Sequence, residues 1–173
     1  MSSILFSEEI LRGKIVELGR RITADYADRE IDLVCLINGA STFCADLVRH
    51  IGVPVRQHYL GFTSYPEIPK SGEVRITLDI AEPLQGRHVL VLEGIVVSGR
   101  TPKYIVEMLK LRQPASIALC ALATKPAVLA VDLPVQYSAF QLTSEIAVGY
   151  GVGKGAERAL PNLMNTAVSD DKG

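Results

Sequence analysis

Leu11, Ile15, Leu18 and Ile22 recur at helical spacing along "EEILRGKIVELGRRITADYA" and predict one apolar helix face. Ser7 just ahead can cap that helix, and Glu8 and Glu9 suit its positive end. The pattern then changes. "IDLVCLI" (31–37) is a continuous run of branched apolar residues, as in a strand buried on both faces. "NGAS" breaks the run, and "STFCADLVRHIG" predicts a helix ending at Gly52. Val53 to Phe62 reads as a second strand. Val74, Ile76, Leu78 and Ile80 alternate with Glu73, Arg75, Thr77 and Asp79, the pattern of a half-exposed strand. "RHVLVLE" predicts another buried strand, "PKYIVEMLKLR" another helix, and "ASIALCALAT" and "VQYSAF" the last strands of the sheet. Strands alternating with helices imply an α/β fold with a mainly parallel sheet covered on both faces.

Between these elements, "TSYPEIPKSG" is long for a bare connection and is a candidate lid. Residues 1–173 read as a single domain, with a loose tail from about 165 to 173. The 18 basic and 19 acidic residues leave a net charge of −1, which argues against a nucleic-acid or membrane partner. With no signal-like start, the expected compartment is the cytoplasm. Cys35, Cys44 and Cys120 lie in apolar segments and read as reduced core thiols. His50, His58 and His88 lack the spacing of metal ligands.

The chemistry concentrates in "VLVLEGIVVSGRT" (89–101). Ligands of open parallel sheets bind beyond the carboxyl ends of the strands, and such an end is expected at Glu93. Thr101 is the expected cap of the following helix and Pro102 its first residue. Gly99 permits a tight turn whose N–H groups can converge on an anion, with Arg100 and Lys103 adding positive charge. Taken alone, "SGRT" is first of all an ordinary strand–turn–helix connection.

Its context adds to that. "ITADYA", "INGA", "TSY", "SGEVRI", "GRHVLVLEGIVVSGRT", "PASIALCAL", "TKPA", "VDLPVQYSAF" and "VGYG" follow one another in an order that resembles the hypoxanthine-guanine phosphoribosyltransferases. The resemblance implies a type I phosphoribosyltransferase fold, with a small hood near both termini and a homodimer or homotetramer. It also implies magnesium-assisted transfer of the 5-phosphoribosyl group from phosphoribosyl pyrophosphate to a 6-oxopurine base. Residue by residue, Ser98, Gly99, Arg100 and Thr101 match the 5′-phosphate cradle, and Glu93 the first of two acids near ribose and magnesium. Asn38, Gly39 and Arg158 match the pyrophosphate site, and Ser64 and Tyr65 the lid. Lys125 matches the lysine on the purine 6-oxo group; Ile146, followed by Ala147, stands where the family stacks an aromatic ring on the base.

Several family positions depart. The second acid is Gly94, and the aspartate near purine N7 is Val97, which can neither take a proton nor hydrogen-bond. A lysine is replaced by Asn38 and a second metal-binding aspartate by Gly153. These losses predict a binder of a nucleotide 5′-phosphate or phosphoribosyl pyrophosphate with weak or lost transferase activity and weakened magnesium binding. The alternative is a working hypoxanthine/guanine phosphoribosyltransferase of purine salvage.

Overall fold

Ser7 caps the first helix, its Oγ accepting from the Ile10 N–H at 3.4 Å. That helix, α1 (Glu8–Asp25), follows a short strand, β1 (Ser3–Phe6). Leu11, Ile15, Leu18 and Ile22 all face inward, as their spacing requires. The computed structural model describes residues 3–37, 39–64, 74–143, 146–153 and 155–166.

The continuous apolar run becomes β2 (Ile31–Leu36), with all six residues buried. It lies between β3 (Val55–Ser64) and β5 (His88–Val96), parallel to both. β6 (Ser116–Thr124) and β7 (Tyr137–Gln141) extend the parallel sheet, and β4 (Val74–Leu78) pairs antiparallel with β3. The order is β4-β3-β2-β5-β6-β7. Alternate residues of β2 face opposite cores. Leu33 and Cys35 pack with α1 and with α2 (Ser41–Leu47), while Val34 and Leu36 pack with α3 (Arg100–Lys110). Cys35, Cys44 and Cys120 are free and buried, as expected.

A three-stranded antiparallel sheet forms the hood, in the order β1-β9-β8, with β8 (Ile146–Val148) and β9 (Leu163–Thr166). Phe6 stacks on Phe140 of the main sheet at 4.0 Å between ring centroids.

Some boundaries differ from the sequence reading. α2 gives way after Leu47 to a tight turn, Val48–His50, where the chain docks against Gly19 of α1. β5 does not end at Glu93, because pairing with the long β6 carries it to Val96. α3 begins at Arg100, capped by Gly99 and not by Thr101, so Pro102 is its third residue. An N–H is dispensable there as well, since the whole first turn lacks helical acceptors. Asn165 and Thr166, expected in a loose tail, pair within β9. The rest of that tail, most of the lid with Tyr65, and Asn38 lie outside the described residues.

Candidate active site

β5 outlasts β2. Their pairing ends at Cys35 and Leu92, so from Glu93 onward β5 has β6 on one flank and an open flank on the other. Into that flank comes the turn after β2. It is anchored by Ile37 N–H to Leu60 O at 3.0 Å and by Ala40 N–H to Leu36 O at 3.1 Å. Gly39 thereby sits beside Glu93 and over Gly94.

Glu93, Val97, Ser98, Gly99 and Thr101 line one cavity of about 240 Å³, together with Phe62, Ile95 and Pro102. Gly99 is required by the turn: its φ is 75°, and a Cβ there would lie 2.7 Å from Leu129 Cδ1. The turn is held from below by Ala130 N–H donating to Ser98 O at 2.9 Å. First-turn N–H groups of α3 have no helical acceptor, and Arg100 N–H reaches Ser98 Oγ only at 3.5 Å. Free N–H groups and the positive end of a helix dipole together suit an anion.

Among the described residues, Glu93 is the one carboxylate on the cavity wall. Burial pushes its pKa up to about 7, opposed by the Gly94 N–H, which donates to Oε1 at 2.8 Å. Val97 is 45% exposed on the same wall, with nothing to offer a proton. Phe62 and Ile95 were not singled out in the sequence; the only signal was that strand residues past a sheet's carboxyl edge tend to line a ligand site.

Other predicted residues stand apart from this cavity. Lys125 follows β6, its N–H bonded to Val96 O at 2.9 Å, and lines a cavity of about 170 Å³ with Pro126, Leu129 and Leu133. Arg158 donates through Nε to Gly151 O at 3.1 Å and lines a separate cavity of about 490 Å³ with Thr42, Asp46 and Tyr150. Ile146 is exposed and Ala147 buried, both on the hood strand β8. Ser64 is the last residue of β3. Gly153 has a φ of 96°, with Val148 Cγ1 at 3.0 Å from where a Cβ would stand.

A mostly parallel sheet flanked by helices, with a turn into α3 at its carboxyl edge and a separate small antiparallel sheet, is the type I phosphoribosyltransferase fold. The family model for the phosphoribosyl transferase domain matches residues 7–153. Hypoxanthine phosphoribosyltransferase of Salmonella typhimurium is 36% identical over 172 residues, 97% of each chain. Its counterpart in Haemophilus influenzae is 37% identical over 153 residues, 86% of each chain. A crystal structure of a hypoxanthine-guanine phosphoribosyltransferase from Bacillus anthracis superposes with a TM-score of 0.92 at 32% identity, covering 95% of this chain and 98% of that one. The chain belongs to the hypoxanthine-guanine phosphoribosyltransferase family.

Proposed function

We propose that this protein transfers the 5-phosphoribosyl group of phosphoribosyl pyrophosphate to hypoxanthine or guanine, forming the nucleoside monophosphate and pyrophosphate in purine salvage. The observation that carries this reading is the near end-to-end match to hypoxanthine phosphoribosyltransferases. It favours the working transferase over the weakened binder expected from the departures alone.

In this reading the Ser98–Thr101 turn holds the 5′-phosphate and Glu93 the ribose hydroxyls, while Lys125 meets the purine 6-oxo group. Arg158 and the 38–39 turn serve the pyrophosphate, Ile146 and Ala147 the base, and Ser64 and Tyr65 the lid. The base nitrogen bonds to C1′ as the C1′–pyrophosphate bond breaks, and the proton lost from the base passes to water, because Val97 cannot take it. A positioned base contributes about 10²–10⁴ in rate, so turnover falls below that of a relative carrying an acid there by a factor of that order.

Among the described residues no cluster of three His, Cys, Asp or Glu could hold a metal by itself. Magnesium commonly takes one or two carboxylates plus substrate phosphates, so Glu93 suits it as a ligand shared with the substrate. There it would supply charge neutralisation for the leaving pyrophosphate.

A second reading, a nucleotide-binding protein without turnover, is favoured by Val97 on the cavity wall. Steady-state assays with phosphoribosyl pyrophosphate, magnesium and hypoxanthine or guanine separate the two. Nucleoside monophosphate formed above background supports transfer. Tight binding of the monophosphate without turnover supports the second reading. We place the protein in the cytoplasm as a homodimer or homotetramer; no helix among the described residues is long and apolar enough to cross a membrane.

A further inference from the structure

Gly94 is more than a missing acid. A Cβ built on it would lie 2.9 Å from the Gly39 carbonyl carbon and 3.4 Å from its Cα, with the carbonyl oxygen nearer still. That oxygen sits at the radius from the Cβ at which the oxygen of an aspartate side chain would sit, about two bonds away. The same turn also comes close to Glu93, for a Cβ on Gly39 would stand 3.3 Å from Glu93 Oε1. The turn that brings Gly39 down is tied at both ends, at Ile37 and at Ala40, and Cys44 N–H bonds back to Ala40 O at 2.7 Å as α2 begins. It has little freedom to retreat.

We infer that Gly94 is a positioning residue: its bare Cα lets the Gly39 carbonyl stand beside Glu93, so the second oxygen acceptor at this edge is neutral backbone and not a carboxylate. The inference rests on the transferase reading for its ligand, phosphoribosyl pyrophosphate, and on geometry alone for the contact. It reverses an expectation natural from sequence. Installing an acid by Gly94→Asp does not restore a grip on ribose, because the side chain and the Gly39 carbonyl claim the same space.

The test uses Gly94→Ala, which adds only the obstructing Cβ. With no ligand present, its backbone amide shifts should move at residues 39–41 and stay in place at 98–101. With ligand, KM for phosphoribosyl pyrophosphate should rise by about tenfold or more while kcat changes much less, the signature of lost positioning in binding. Gly94→Asp should be no more active than Gly94→Ala. Unchanged shifts at 39–41 together with a wild-type KM would overturn the inference, and so would a Gly94→Asp enzyme faster than wild type.

Should Gly94→Ala fail to fold, the wild-type protein decides through a nuclear Overhauser contact between the α protons of Gly39 and Gly94. Its presence supports the close approach and its absence overturns it. A wild type that binds no phosphoribosyl pyrophosphate removes the transferase reading; the α-proton contact and the ligand-free shifts still judge the role of Gly94.

Discussion

Two carboxylates sit toward opposite ends of neighbouring parallel strands, β2 and β5, and they are treated in opposite ways. Asp32, near the start of β2, is fully buried. Its Oδ1 meets His58 Nε2 at 2.7 Å and Arg56 Nε at 2.9 Å, and its Oδ2 meets Arg87 Nε at 2.6 Å. Glu30 and Glu82 extend the cluster, at 2.7 Å from Arg87 and 3.6 Å from Arg56. Burial by itself would raise the Asp32 pKa, but the bonds from His58, Arg87 and Arg56 overrule it and hold the group below the usual carboxylate range. Glu93, past the middle of β5, takes one backbone N–H and is pushed upward. One carboxylate is satisfied by its own protein. The other has a single backbone N–H and a cavity in front of it. Perturbed groups of the second kind, on a cavity wall, are the ones that mark functional sites.

The largest effect should come from breaking the satisfied end. Asp32→Asn takes the buried counter-charge from the half-buried Arg56 and Arg87, leaving them only the exposed Glu82 and Glu30, and should cost about 3 kcal/mol in denaturant unfolding. Turnover per folded molecule should be unaltered. The wild-type contribution of Asp32 is present above the ordinary carboxylate pKa and is lost as pH falls through its lowered folded value.

Glu93 gives the reverse slope. An acid with a raised folded pKa holds more protons folded than unfolded, so stability should fall as pH rises from 4.5 to about 7, then level off. The loss across that window is on the order of 3 kcal/mol. Glu93→Gln should flatten the slope in urea melts taken at several pH values, and should abolish transfer. A slope unchanged in the variant would show that Glu93 is not the group responsible.

Smaller again is Val97→Asp. The cavity wall there is open enough for a carboxylate, yet a base acts only on atoms already positioned, so steady-state turnover should rise by less than about tenfold. A full restoration to about 10²–10⁴ would mean that Val97 alone limits the rate and that the Gly39–Gly94 edge positions ribose well.

Much of this contrast was legible in the chain. Apolar continuity located β2 and β5, and "SGRT" after an apolar run located the turn that shares a cavity with Glu93. The charged residue inside "IDLVCLI" was itself a signal, since a buried acid demands partners. What the sequence could not provide was their identity, because Arg56, His58 and Arg87 reach Asp32 from other strands and loops. The end of β5 was missed for a similar reason: register with β6, not the local pattern, carries it to Val96. The hood strands are short, and β1 pairs with β9 from the far end of the chain, beyond any local periodicity. Gly94 reads in sequence as a loss; only the approach of Gly39 shows what fills its place.

The contrast between the two ends is tested most directly by titrating the protein with guanosine monophosphate while following backbone amide shifts. The account predicts saturable changes at Glu93 and at Ser98 to Thr101, with residues 30–32, 56–58 and 87 silent. Changes confined to the Asp32 end, or none at Ser98 to Thr101 at saturating nucleotide, would contradict it.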